Sequence, residues 1–342
     1  MAYVADCIGL QVIDVAKPQT LVSYDTLGEA IDVAVVGATA YVVVPWSGLR
    51  VIDVSTPSKP KLLGSYDTPG ITGGVTVVGT MAYLVHPDGL RVIDVSTPSK
   101  PKLRGDSHRV TDAWNVAVVG TTAYVAGGKF GLQVIDVSKP SKPKYLSSYS
   151  SNAVYVVVVG TTAYVADVGS GLQVIDVSTP SKPQLLGSYD IPGGAYGVAV
   201  EGTTAYVVVP RRGLWVIDVS TPSKPLLLGI CDMYGGWNVG WPVYVQARVP
   251  NFPRLRGAVN FDVCDGWAVH VAVVDTTVYV TDGGYLHAID VSTPSKPQLL
   301  CIYNTPGFTY GFAIVGTTAY VADVWGGLQV IDVSTQLKPM PR

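Results

Sequence analysis

Glutamate is almost absent from this chain: Glu29 and Glu201 are the only two in 342 residues, so a glutamate-based acid–base pair has little raw material. The four histidines, His86, His108, His270 and His287, are scattered and offer no metal-ligand spacing. Four cysteines (Cys7, Cys231, Cys264, Cys301) are too few for a disulfide framework. Free structural thiols are the expectation, with a Cys231–Cys264 bridge as the alternative. No P-loop, G-x-S-x-G elbow, H-E-x-x-H or C-x-x-C occurs, and no catalytic residue, cofactor or metal site is read from the sequence. Charged residues make up only 14%, and the net charge of −2 argues against nucleic acid as a partner. No apolar run approaches the ~20 residues that span a bilayer, so no membrane insertion is expected. No charged stretch with an apolar core opens the chain, so no signal peptide is read. Helical periodicity is missing too.

What is present is a repeat. The chain is 48% hydrophobic, with 37 glycines and 24 prolines, ample for a core and rich in turns. "GLQVIDV" or a variant begins at Gly9, Gly48, Gly89, Gly131, Gly171, Gly213 and Gly327, with "YLHAIDV" from Tyr285. Its aspartates, from Asp14 to Asp332, are spaced 39, 41, 42, 40, 42, 72 and 42 residues apart. One unit reads as four short strands: "YGVAVE" from Tyr196, "TAYVVV" from Thr204, "GLWVIDV" from Gly213 and "PLLLGI" from Pro225. Each is rich in Val, Ile and Tyr and bounded by Gly, Pro, Ser or Asp. The runs are nearly continuously apolar, as in strands covered on both sheet faces. Radial blades stacked around an axis have that property.

The unit "GLQVIDVSTPSKPQLLGSYDIPGGAYGVAVEGTTAYV" resembles the LVIVD repeat of bacterial and archaeal proteins that are often surface-associated. The resemblance covers essentially the whole chain. It implies an all-β fold, a β-propeller of four-stranded blades, in an extracellular or cell-surface setting. It supplies no reaction, ligand or catalytic residue.

The expectation is a single domain over 1–342. Seven first strands are clear, around Val33, Val75, Val116, Val156, Val198, Val271 and Phe312. An eighth, degenerate unit is read in the long interval at 231–265, where "VGWPVYV" matches "VGTTAYV" and "PRLRG" matches "PKLRG". Eight blades are therefore expected, with a seven-bladed ring as the alternative. The last unit stops after its third strand near Val333, and "LVSYD" at 21–25 is expected to supply the missing outer strand. Residues 1–15 are then left over.

The connections fall into two sets, one on each face of the ring. On one face they are near copies: "VGTT" turns, and "STPSKP" loops that display Lys59, Lys100, Lys142, Lys182, Lys224 and Lys296. Solubility explains the lysines, and the aspartate of "VIDV" is expected to cap its own turn. The aspartates that end second strands (Asp6, Asp167, Asp282, Asp323) are also expected to cap turns, with Ca²⁺ binding as the alternative. On the other face the columns scatter. Immediately before the first strands stand Asp32, Gly74, Asn115, Tyr155, Gly197, His270 and Gly311, preceded by Trp114, Tyr196 and Tyr310 among others. The second-to-third loops carry Trp46, Asp88, Lys129 with Phe130, Arg211 with Arg212, and Trp325. Loops on a rigid frame are common binding positions, and Trp, Tyr and Arg are frequent anchors. The ligand-binding residues expected are therefore Trp46, Trp114, Asn115, Tyr155, Tyr196, Arg211, Arg212, His270, Tyr310 and Trp325. Loops that drift because packing is lax are the alternative explanation. The functional reading is a non-enzymatic module for a protein or glycan partner. The alternative is a building block that self-assembles through its N-terminal strands.

Overall fold

The computed structural model describes residues 2–6, 9–14, 19–24, 32–231, 268–282, 285–304, 309–315, 318–323 and 327–332, apart from 45, 57–58, 69, 71–72, 87, 111 and 211. These residues form eight antiparallel sheets and no helix, so none is long and apolar enough to cross a membrane.

Strands β1 (Ala2–Asp6), β2 (Gly9–Asp14) and β3 (Gln19–Tyr24) make a three-stranded sheet. Blade 1 is β4 (Asp32–Val36), β5 (Thr39–Val44), β6 (Gly48–Asp53) and β7 (Lys61–Tyr66). Blade 2 is β8 (Val75–Val78), β9 (Met81–His86), β10 (Gly89–Asp94) and β11 (Lys102–Ser107). Blade 3 is β12 (Asn115–Val119), β13 (Thr122–Ala126), β14 (Leu132–Asp136) and β15 (Lys144–Tyr149). Blade 4 is β16 (Ala153–Val159), β17 (Thr162–Asp167), β18 (Gly171–Asp176) and β19 (Gln184–Tyr189). Blade 5 is β20 (Gly197–Glu201), β21 (Thr204–Val209), β22 (Gly213–Asp218) and β23 (Leu226–Cys231). Blade 6 is β24 (Ala268–Val274), β25 (Thr277–Asp282), β26 (Tyr285–Asp290) and β27 (Gln298–Asn304). Strands β28 (Thr309–Val315), β29 (Thr318–Asp323) and β30 (Gly327–Asp332) close the chain as a second three-stranded sheet.

Every blade is an up-and-down meander. In blade 4, Tyr164 of the second strand faces Val157 of the first and Val174 of the third. The third and outer strands slip register at one place, between Val174 and Ile175 here and at the equivalent pair in each other blade. Such bulges bend and twist the outer strand. The near-continuous apolar runs are explained by burial on both faces. Tyr124, Leu132 and Val134 of blade 3 pack against Val156, Val165 and Ile175 of blade 4, and each pair of blades from 1 to 6 repeats this. Burying one Val, Leu or Ile fully contributes about 1.5–3 kcal/mol, so these interfaces dominate the stability of the ring.

The "STPSKP" loop is the second interblade contact. In the outer strand of blade 4, Gly187 lies opposite Val174 at the bulge. A Cβ there would stand 2.5 Å from the Pro222 carbonyl oxygen of the next blade's loop. Gly64, Gly105 and Gly229 dock in the same way on the loops at Pro98, Pro140 and Pro294. Where blade 3 has Ser147 instead, its hydroxyl donates to the Pro180 carbonyl at 2.6 Å. Glycine recurs in "LLGSY" because a backbone approaches it, not because of its own dihedral angles.

Two expectations change. The inner strands β4, β8, β12, β16, β20, β24 and β28 run side by side, and β28 lies beside β4. Among the described residues seven strands therefore line the axis. Blades 5 and 6 are direct neighbours: Val208, Leu214 and Val216 pack on Val271, Val278 and Ile289, and Gly229 docks on the blade 6 loop. Among the described residues no blade stands between them. The unit read at 231–265 lies outside the described residues apart from Cys231, and the eighth sheet is the N-terminal one, β1–β3. The segment 21–25 falls mainly in β3, which lies beside β30 but pairs with β2, Leu10 opposite Tyr24 and Asp14 opposite Gln19. The reason is local. Residues 15–18 alone link β2 to β3, and a short link costs less closure entropy than pairing ends of the chain.

Candidate binding face at the channel mouth

The two faces of the ring differ in what their polar groups are doing. On the repetitive face, Asp53, Asp94, Asp136, Asp176, Asp218 and Asp290 each accept a hydrogen bond from the backbone N–H two residues on, at 2.8–2.9 Å. The serine N–H and hydroxyl hold the carboxyls of Asp53, Asp94, Asp136, Asp176 and Asp218 below the ordinary value. The lysine of each loop donates its backbone N–H to the residue three before it, as Lys182 does to Thr179 at 2.8 Å. These are turn caps, as the sequence suggests.

Asp167, at the end of β17, is 2% exposed and also serves its own turn. It accepts from the N–H groups of Asn152 (2.5 Å), Gly169 (2.7 Å) and Ser170 (2.8 Å), and from Gln173 Nε2 (3.3 Å). Among the described residues no three potential ligands gather as a metal group. Cys231 is buried, and Cys264 lies outside the described residues.

The varied face is built around the starts of the inner strands. Asp32 opens β4, and its Oδ2 accepts from Val75 N–H of blade 2 at 2.7 Å, while Oδ1 accepts from Val33 N–H at 2.9 Å. Asn115 opens β12 and repeats the device, its Oδ1 accepting from Val156 N–H of blade 4 at 3.1 Å. These two residues latch one inner strand to the next. The sequence singles out Asn115 for a ligand; the structure gives its carbonyl oxygen an interblade hydrogen bond. Asp32 stands in the same column and is the only acid there. Burial pushes its carboxyl from 3.8 up to about 6, against the lowering effect of the Val75 and Val33 hydrogen bonds.

Tyr155 lies inside the inner strand of blade 4 rather than before it, because β16 starts at Ala153 and shifts register between Ala153 and Tyr155. β24 does the same between Ala268 and His270, and β28 between Thr309 and Phe312, placing His270 and Tyr310 within strands. Burial raises the Tyr155 phenol, and the negative charge of Asp32 raises it further. The two groups stand near the varied-face ends of the inner strands of blades 1 and 4. Tyr155 also packs against the core between blades 4 and 5.

Trp114 and Tyr196 stand immediately before inner strands and donate backbone N–H bonds to Ala126 (2.9 Å) and Val208 (3.0 Å) of their own second strands. Both side chains are half-buried. Trp114 lies over the Gly128 turn, its Nε1 3.1 Å from where a Gly128 Cβ would stand. Farther out, Trp46 is 53% exposed and Phe130 47%, with Lys129 Nζ 5.3 Å from the Phe130 ring centre. Trp46 has φ +64°, a left-handed conformation, and its N–H donates to Gly70 O at 2.9 Å. Arg212 is exposed on the same loop set. Arg211 and Trp325 lie outside the described residues. Asp32, Asn115 and Tyr155 thus occupy the mouth, and Trp46, Phe130 and Arg212 form an outer rim. Exposed apolar side chains are not confined to this face: Leu62, Leu103, Leu185 and Leu226 of the outer strands are 41–50% exposed.

Against solved structures the likeness is to the fold. A computationally designed protein, Ika8, aligns with a TM-score of 0.70 at 11% identity, covering 96% of this chain and 92% of its own. BamB from Moraxella catarrhalis aligns at 0.63 and 10% identity, over 95% of this chain and 89% of its own. A chain of the mitotic checkpoint complex aligns at 0.64 and 11% identity, over 87% of each chain. No curated relative matches the sequence. The LVIVD repeat matches at 27–68, 69–107, 111–151, 150–191, 192–233, 265–305 and 306–339. Those seven matches fall on the seven units that supply inner strands, and they pass over most of the long interval. By them, the chain belongs to the LVIVD-repeat family.

Proposed function

We propose that the chain is a non-enzymatic interaction module that grips a protein or a glycan through the varied face at the channel mouth. The observation that carries this reading is the contrast in polar bookkeeping. The carboxylates of the repetitive face are engaged in turn caps, whereas the varied face exposes Trp46, Phe130, Lys129 and Arg212 around Asp32 and Tyr155. Aromatic rings beside a few polar groups suit a sugar ring or a partner's loop. One structural neighbour was solved within a multi-component assembly, the mitotic checkpoint complex, which agrees with an interaction role. The extracellular or cell-surface setting is carried over from the family resemblance.

Among the described residues no further strand pairs with β1 or β30, which favours a second reading, a self-assembling block that adds strands to a neighbouring molecule. Sedimentation separates the two, since a monomer at working concentration favours the binding module. The deciding experiment compares partner capture by the wild type, by a Trp46→Ala/Arg212→Ala variant and by a Lys142→Ala/Lys182→Ala variant. The reading expects the first variant to lose the partner and the lysine variant to keep it. The reverse pattern would place the site on the repetitive face.

A further inference from the structure

The strand inventory is unbalanced at the seam. Among the described residues there are seven inner and seven outer strands, but eight second and eight third strands. Thirty strands are two more than seven four-stranded blades need. The surplus is one second–third hairpin, and two segments have an equal claim to be it. β1 reads AYVAD and β29 reads TAYVAD; the third strands and the residue after them read GLQVIDV from Gly9 and from Gly327. The same residues recur in blade 4, at Ala163–Asp167 and Gly171–Val177, where they stand inside a complete blade.

The two hairpins also sit where either can take the same seat. β1 lies beside β28 and β29, and β3 lies beside β30. Among the described residues the sheet β28–β30 has no outer strand and the sheet β1–β3 no inner one. The geometry points to an exchangeable closure: β28 and β3 are the fixed inner and outer strands of the seventh blade, and β1–β2 and β29–β30 compete to fill the two places between them. With β29–β30 seated, β3 transfers to the open edge of β30, Ser23 opposite Gln329 as Ser188 lies opposite Gln173. With β1–β2 seated, β3 keeps its present partner and β1 replaces β29 on β28. Because the competing strands share AYVAD and GLQVID, the two closures differ mainly in their connections, and the hairpin left out is a strand pair the ring can shed without opening. Two packings separated by so little are the condition for a switch.

Redundancy is the readout, in the full chain. Val12 and Val330 hold the register position of Val174, each opposite a second-strand tyrosine, and Val174 is fully buried. Val174→Ala sets the reference loss in melting temperature. Val12→Ala and Val330→Ala are each expected to lose less than a third of that reference. The double variant is expected to lose nearly all of it, because no intact copy remains. Val174→Pro, Val12→Pro and Val330→Pro repeat the comparison with a change no central strand tolerates. Either single proline variant should still give a cooperative ring, while Val174→Pro and the double variant should not. Losses that simply add, or a single proline variant that fails to fold, overturn the proposal, since each hairpin would then hold a place of its own.

Discussion

The two faces of this ring answer one problem, how to connect neighbouring strands, in opposite ways. On the repetitive face each unit uses the same solution: an aspartate caps the turn, a proline loop folds over the next blade, and a glycine makes room for it. On the varied face the units share only the need to start an inner strand beside its neighbour. Blade 1 meets it with a carboxylate and blade 3 with an amide, while blades 4 and 6 run a bulged strand two residues further. Repetition therefore marks where one geometry must be met every time. Variation marks where several chemistries satisfy a loose requirement.

The largest expected effect breaks the first half of that comparison. Gly187→Ala places a methyl 2.5 Å from the Pro222 oxygen and 2.8 Å from the Ser223 carbonyl carbon, both backbone atoms. Neither can swing away as a side-chain tip could, so the outer strand and the loop must separate. Overpacking of this kind costs about 2–3 kcal/mol. Gly187→Ser should cost less, because Ser147 shows that a hydroxyl here can donate to the loop carbonyl. Urea denaturation of the two variants measures the difference. Equal and negligible losses would mean that the loop merely rests on the sheet.

A middle-sized effect lies in acid, where two groups oppose each other. Asp32 is raised from 3.8 to about 6 by burial, so its stabilising share is full below pH 3.8 and is lost as pH rises through 6. His287, 2% exposed in the third strand of blade 6, is lowered by burial from 6.5 to about 4. Its share is full above pH 6.5 and is lost as pH falls through 4. Asp32→Asn keeps an acceptor for the Val75 N–H, as Asn115 does for Val156. It should raise the melting temperature at pH 7 by a few degrees and steepen the decline between pH 6 and 4. His287→Gln, which restores the residue found at Gln133 and Gln173, should flatten that decline. Melting curves at half-unit pH intervals test both signs. An Asp32→Asn variant less stable than wild type at pH 7 would show that the latch needs the charge.

The blade was legible in the sequence because its causes are local. Alternating turn residues, β-branched runs and the "VIDV" aspartate each act within a few positions, and strand bounds follow from them. The resemblance to LVIVD repeats rested on the same residues. What was not legible depends on neighbours one blade away. "LLGSY" gives no hint that its glycine faces a proline loop about 35 residues further on, at Pro98 for Gly64. Nothing in the column Asp32, Gly74, Asn115 states that two of its members bond to the following blade. The unit inferred at 231–265 illustrates the same limit. Partial matches such as "PRLRG" show likeness to a repeat, but a place in the ring depends on faces that neighbouring units pack against, and 232–267 lie outside the described residues. Blades 5 and 6 already use theirs on each other.

The smallest effect sharpens the second half of the comparison, because it sets stability against binding at one residue. Trp46 combines a left-handed backbone at φ +64° with a side chain 53% exposed. A non-glycine residue there costs about 1–2 kcal/mol. Glycine removes that strain but adds roughly 0.5–1 kcal/mol of chain entropy to be lost on folding. Trp46→Gly should therefore gain about 0.5 kcal/mol, visible as a slight rise in melting temperature. On the proposed reading the exposed indole is a surface that a partner covers. The same variant should accordingly weaken partner capture while it stabilises the ring. A lower melting temperature with capture unchanged would instead make Trp46 part of the loop's own support, bonded through its N–H to Gly70, and would shift the binding face inward to Asp32 and Tyr155.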